Sequence, residues 1–185
     1  VMSLDVGDNA MTVDAIGRAV KEFGPPDMII NSAGIGSANY FEKISYDEFD
    51  RVIKINLYGT RNVIAAALPC MKERGSGVVV IVSSMAGFSS IFGYTSYATS
   101  KFALVGFAEA LRSEMVRYGI RVILACPPET DTPFLAEESK TIPPECRAMK
   151  DLMGTLRTDY VARFIIRGIA RGKYLIMPGY LSRFL

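Results

Sequence analysis

The sequence predicts an α/β fold, a doubly wound parallel sheet in three layers with helices on both faces. Short continuous apolar runs, such as Val78–Val82, alternate with segments whose apolar residues recur at helical spacing. The runs are rich in β-branched residues and lack polar alternation, as strands do when both faces are covered. Gly and Pro clusters punctuate the chain between them. No internal repeat, low-complexity tract or linker divides the chain, so residues 1–185 read as a single domain.

The elements follow in order. Residues 1–6, VMSLDV, read as a short strand. Residues 9–23 carry a helical pattern that Gly24-Pro25-Pro26 stops. Residues 27–31, DMIIN, read as a strand of the buried kind. Residues 45–74 are helical, opened by a capping box in which Ser45 is followed by Glu48 at the fourth position. Gly75-Ser76-Gly77 turns the chain into residues 78–84, VVVIVSS, the clearest buried strand, which Ser84 ends. Residues 94–118 form a long helix, and residues 120–126, IRVILAC, the next strand. A proline-rich loop follows, then residues 131–151 as loop with short helices. A helix over 158–171 and a strand over 174–177, YLIM, close the pattern. Ligands of such sheets gather beyond the carboxyl ends of the strands. That edge collects Asp5 and Val6, Asn31–Gly34, Ser83–Met85 and Pro127–Thr132.

Composition narrows the function classes. Half the residues are apolar, and 21 basic residues against 19 acidic ones leave a net charge of +2 without a basic block. Nucleic acid is therefore not an expected partner. Cys70, Cys126 and Cys146 lie far apart, which suits reduced thiols in a cytoplasmic setting. With no histidine and no clustered cysteines, no metal site is expected. No apolar run reaches the length of a membrane span, and the sequence reads without a signal peptide.

A protein that moves protons without histidine needs another titratable group. In SYATSK, residues 96–101, Tyr97 and Lys101 stand at i and i+4 and share one helix face. An ammonium beside a phenol favours the phenolate, so Lys101 is expected to lower the pKa of Tyr97. That would make tyrosine a usable acid or base near neutrality. Ser84 converges on the same sheet edge and can hold a carbonyl oxygen beside the phenol. Tyr94 has Ala98 at i+4 and lacks the cation.

NSAG (31–34), INLYGT (55–60), IVSSMAG (81–87) and SYATSK, in this order and spacing, resemble the short-chain dehydrogenase/reductase family across nearly the whole chain. The resemblance implies a Rossmann-like fold, a nicotinamide cofactor and a catalytic set of Asn56, Ser84, Tyr97 and Lys101. In it Tyr97 donates the proton, and Lys101 lowers its pKa and binds the nicotinamide ribose. Ser84 orients the carbonyl, and Asn56 supports a proton-relay water. It further implies cofactor contacts from Asp5, Val6, Asn31, Ala33, Gly34, Tyr97, Lys101, Pro127, Thr130 and Thr132. Pro128 departs from the family's usual glycine. No dinucleotide glycine fingerprint is found, so the chain is expected to begin at the family's third strand, with the first two strands missing. NADP (NADPH) is the expected cofactor, with NAD left open.

Residues 127–147 resemble, within that family, the 3-ketodihydrosphingosine reductases, which implies a long-chain 2-amino-3-ketone as substrate and residues 127–151 as its binding loop. Met85, Phe88, Phe92, Phe134 and Leu135 would hold the alkyl chain, and Glu129, Asp131, Glu137 and Glu138 would favour its ammonium group. Such a lipid ketone implies peripheral contact with the cytoplasmic face of a membrane. A 3-ketoacyl or hydroxysteroid reductase of the same family, or a non-catalytic binding protein of the same fold, remains open. The helices 56–74 and 94–118 are expected to leave an apolar face for a homodimer or homotetramer, through Val63, Ile64, Ala67, Leu68, Phe102, Val105, Phe107 and Leu111.

Overall fold

The computed structural model describes residues 2–138 and 141–179, without the side chains of Ala136 and Glu137. Four strands, β1 (Met28–Asn31), β2 (Gly77–Val82), β3 (Ile120–Ala125) and β4 (Leu175–Ile176), form a parallel sheet in the order β1-β2-β3-β4. The register aligns their carboxyl ends: Asn31 stands beside Ile81, Val82 beside Ala125, and Ala125 beside Ile176. Seven helices accompany the sheet among the described residues: α1 (Asn9–Phe23), α2 (Tyr46–Ile53), α3 (Gly59–Arg74), α4 (Thr95–Met115), α5 (Pro133–Glu138), α6 (Pro144–Met153) and α7 (Thr158–Ala170).

Strand pleating sorts the core into two faces. Val79, Ile81, Val122 and Leu124 pack with Ile64 and Met71 of α3 and Leu104, Ala108 and Leu111 of α4. Val78, Val80, Ile123 and Ala125 turn the other way, to Ile169 of α7. That helix comes close because Gly168 lacks a side chain; a Cβ there would lie 2.6 Å from Ile176 Cδ1. The three expected layers result.

The structure departs from several expectations. Residues 2–5 form no strand. A strand needs a ladder partner, and no described segment offers one beside it. β1 is not buried: Met28 is 41% and Ile30 53% exposed. Ile29 joins the α3–α4 side, whereas no helix among the described residues covers the side that Met28 and Ile30 face. The helical stretch 45–74 is not uniform. Ser45 Oγ accepts from the Glu48 amide at 3.1 Å, but the Glu48 carboxylate accepts from Ser37 Oγ at 2.6 Å and does not return to close the capping box. Between α2 and α3, Lys54–Tyr58 widen into a π-helical turn. Such turns disturb the helical phase and often mark functional sites.

Candidate active site at the carboxyl edge of the sheet

β2 runs out at Val82, two residues earlier than Ser84. The chain beyond it stays in register with β3, because the Ser83 amide donates to Ala125 O at 2.8 Å and the Met85 amide to Pro127 O at 3.0 Å. Ser84 then caps a short 3-10 turn by accepting from the Ala86 amide. α4 crosses this edge closely. Ser83 Oγ donates to Lys101 O at 3.0 Å, and a Cβ on Gly87 would lie 2.8 Å from the same oxygen. Serine at 83 and glycine at 87 thus set the height of α4 above the strand ends; the motif quoted for the resemblance contains both, but nothing in their spacing reveals the contact.

Tyr97 and Lys101 face the edge together. Lys101 is 5% exposed; its Nζ donates to Val82 O at 3.3 Å and lies 5.5 Å from the centre of the Tyr97 ring. Burial lowers its pKa to about 8. The expected lowering of the Tyr97 pKa is not found. Burial pushes that phenol well above its ordinary value, and the Ser84 hydroxyl, hydrogen-bonded to it, pulls only part of the way back. The physical reason is geometric: the ammonium sits over the ring, and desolvation taxes both charged forms.

Asn56 enters through the π-helical turn and is fully buried. Its Nδ2 donates to Ser100 Oγ at 2.9 Å and Ile35 O at 3.0 Å, while its Oδ1 accepts from the Ile35 amide at 2.8 Å. Thr60 Oγ1 donates to Asn56 O at 2.6 Å and accepts from Asn31 Nδ2 at 2.7 Å. One network therefore joins the end of β1, the π-helical turn and α4. Gly34 lies inside it: a Cβ there would meet Asn56 Oδ1 at 3.2 Å and Lys101 Nζ at 3.7 Å.

The remaining predicted residues divide. Phe134 lies 5.9 Å from the Tyr97 ring, and Met85 and Leu135 are half-buried. Phe88 and Phe92 are exposed, with Phe92 edge-on to Tyr40 at 5.8 Å. Ala33 and Pro127 are half-buried at the strand ends. Thr130 Oγ1 donates to Pro128 O, and Thr132 Oγ1 to Thr130 O, so both threonines brace their own loop. Asp5 and Val6 stand apart: the Gly7 amide donates to Asp5 Oδ1, and Val6 packs on Gly59, where a Cβ would lie 2.5 Å away. A surface groove of about 460 Å³ beside them is lined by Gly7, Asn9, Lys54, Tyr58 and Arg61 and holds no predicted residue.

Sequence reasoning passed over Tyr94 and Lys150. Lys150 Nζ contacts Glu129 Oε2 at 2.6 Å and Glu138 Oε2 at 2.7 Å, and donates to Tyr94 Oη at 3.0 Å. Tyr94 Oη donates to Glu138 Oε2 at 2.5 Å, and its ring lies 5.3 Å from that of Tyr97. These residues come from the N-cap of α4, from α5 and α6, and from the loop after β3, so no local spacing links them. Asp131 is exposed, and the Glu137 side chain lies outside the described residues.

Among the described residues no helix is long and apolar enough to cross a membrane. A family model described as short chain dehydrogenase matches residues 1–143. The chain is 39% identical over 174 residues, 94% of its length, to a 3-dehydrosphinganine reductase of Danio rerio, of which that covers 52%. It is 41% identical over 177 residues to the 3-dehydrosphinganine reductase TSC10B of Arabidopsis thaliana, covering 94% of this chain and 52% of that one. The chain thus spans about half the length of the curated relatives it matches. Among solved structures, ElxO with NADP bound superposes with a TM-score of 0.80 at 26% identity, over 98% of this chain and 77% of that one. On the match of the family model and the identity to these relatives, the chain belongs to the short-chain dehydrogenase family.

Proposed function

We propose that the full-length protein is a nicotinamide-dependent oxidoreductase that reduces the ketone of a long-chain lipid, 3-ketosphinganine to sphinganine, with NADPH. The observation that carries the reading is the convergence of Ser84, Tyr97 and Lys101 at one strand edge, braced by Asn56 through Ser100 and the Ile35 backbone. The names of the relatives, 3-dehydrosphinganine reductases, supply the substrate class.

The residues fit a nicotinamide cofactor. Lys101 carries three ammonium donors, and Val82 O takes one of them. Its remaining N–H groups suit a ribose, and the side-chain-free Gly34 beside it leaves room for a ligand to approach. Asn31, Ala33, Pro127, Thr130 and Thr132 frame that edge in this reading, and Asp5 and Val6 are assigned to the adenosine end. When bound, the reduced cofactor supplies a hydride. Ser84 Oγ and Tyr97 Oη hold the carbonyl oxygen between them. Tyr97 stays a neutral phenol at neutral pH and hands its proton to that oxygen as negative charge develops there. Lys101, over the Tyr97 ring, would hold the nicotinamide ribose beside it. Asn56 supports the water through which the proton is replaced.

Phe134, Leu135 and Met85 would receive the alkyl chain close to Tyr97, with Phe88 and Phe92 at the outer rim, and residues 127–151 would act as the substrate-binding loop. We infer a cytoplasmic setting, contact with a membrane surface for uptake of the lipid, and assembly into a homodimer or homotetramer. The experiment compares kcat/KM of the full-length protein for 3-ketosphinganine and for a neutral 3-ketoacyl thioester. A lipid preference is expected. A thioester preference of about tenfold, roughly 1.4 kcal/mol, would transfer the assignment to a 3-ketoacyl reductase. Absence of any reduction would leave a binding protein.

A further inference from the structure

We propose that Glu138 is the residue that reads the amine of the substrate: its buried carboxylate takes the ammonium group of a 2-amino ketone and so separates amino ketones from neutral ones. The inference rests on the ketone-reductase reading and adds to it a specificity residue.

The acids singled out in the sequence are not equivalent. Asp131 is exposed. Glu129 gives one carboxylate oxygen to Lys150 and the other to Thr155 Oγ1 at 3.0 Å, so it is already satisfied. Glu138 is 6% exposed and only half satisfied. Its Oε2 takes Tyr94 Oη and Lys150 Nζ, while its Oε1 is buried with no hydrogen-bond partner. Buried carboxylate oxygens are rarely left so, because the desolvation penalty goes uncompensated.

The orphan oxygen lies where the substrate would need it. A Cβ built on Gly36 would be 2.8 Å from Glu138 Oε1 and 2.7 Å from Phe134 Cζ, so this oxygen sits next to the ring that packs on Tyr97. Tyr94, which holds the other carboxylate oxygen, is also against Tyr97. Glu138 is near enough for its charge to push the Tyr97 phenol up. The carbonyl held at Tyr97 and an amine on the adjacent carbon would thus fall within one small region. A side chain at position 36 would collide with both Glu138 Oε1 and the Phe134 ring.

Charge points the same way. Two carboxylates, Glu129 and Glu138, share the single ammonium of Lys150. A second monocation balances that set and gives Oε1 a charge-assisted hydrogen bond. A neutral ketone leaves both deficits standing.

The test measures kcat/KM of the full-length protein for a long-chain 2-amino-3-ketone and for the same ketone with hydrogen in place of the amine. A preference for the amine of about tenfold or more is expected, and Glu138→Gln should lower that ratio by about tenfold, chiefly through KM. A purely structural role for Glu138 would depress both substrates together and leave the ratio unchanged. Wild-type rates for the two ketones within about threefold overturn the inference while the reductase reading stands, as does a wild-type ratio in Glu138→Gln. Reduction of neither ketone overturns the reductase reading and this inference with it. If Glu138→Gln does not fold, the wild-type ratio is joined by inhibition with dodecylammonium and dodecanol; stronger inhibition by the cation is expected, and equal inhibition refutes the assignment.

Discussion

Burial moves Tyr97 and Lys101 in opposite directions, the phenol up and the ammonium down to about 8, because each is denied its charged form. On the proposed mechanism, Tyr97→Phe removes the proton donor and retains the ring. Keto-reduction should fall by ~10²–10⁴, while fluorescence titration should show cofactor binding preserved. Lys101 also affects stability. Its folded pKa lies below the unfolded 10.5, so between pH 8 and 10.5 the unfolded chain binds the extra proton and Lys101 contributes stability that rises with pH. Below pH 8 its burial penalty is fully present. Lys101→Met should therefore be more stable than wild type at pH 7, with the advantage shrinking as pH climbs to 10.5. Paired urea melts across that range check this, and a constant difference would contradict the assigned desolvation.

The π-helical turn and the α4 crossing are the elements that bring side chains from distant parts of the chain to one edge. Thr60 holds the turn from both sides, donating to Asn56 O and accepting from Asn31 Nδ2. Thr60→Val keeps the shape but strands two buried polar groups, at about 1–3 kcal/mol. A lowered urea midpoint with an unchanged slope is the expected result. At the crossing, Gly87→Ala would press a methyl group against Lys101 O, which is backbone and cannot turn aside. A loss of about 1–3 kcal/mol is expected, together with lower activity, because the displaced helix carries Tyr97. Thermal melts and initial rates on the same preparation separate the two effects.

For the whole molecule, the expected association face proves smaller than the sequence indicated. Val63, Ile64, Ala67 and Leu111 are buried within the chain's own core, and Leu68, Val105 and Phe107 pack against it. Phe102 does stand out, 47% exposed on α4. If α4 mediates the proposed assembly, Phe102→Asp in the full-length protein should shift sedimentation toward monomer. An unchanged sedimentation coefficient would place the interface elsewhere.

Local pattern determined the layered α/β architecture, the bounds of α1, the position of β2 and the presence of a Tyr–Lys pair on one helix face. Each depends on residues a few positions apart, so periodicity and caps reveal it. The four quoted motifs were also legible: NSAG and IVSSMAG sit at strand ends, where a parallel sheet gathers its chemistry, and INLYGT and SYATSK lie on the helical segments beside them. Tertiary structure alone decided the rest. VMSLDV has a strand's composition but no ladder partner among the described strands, and composition cannot report a partner. DMIIN holds the apolar run Met28–Ile30 yet is exposed on one side, because coverage depends on which helix arrives. The pKa of Tyr97 followed desolvation and Ser84, not the i+4 cation, since the surroundings of both groups outweighed their spacing. The Tyr94–Glu138–Lys150–Glu129 cluster unites four separate segments, and only the folded chain could bring two carboxylates to one ammonium and leave an oxygen unpaired beside Tyr97.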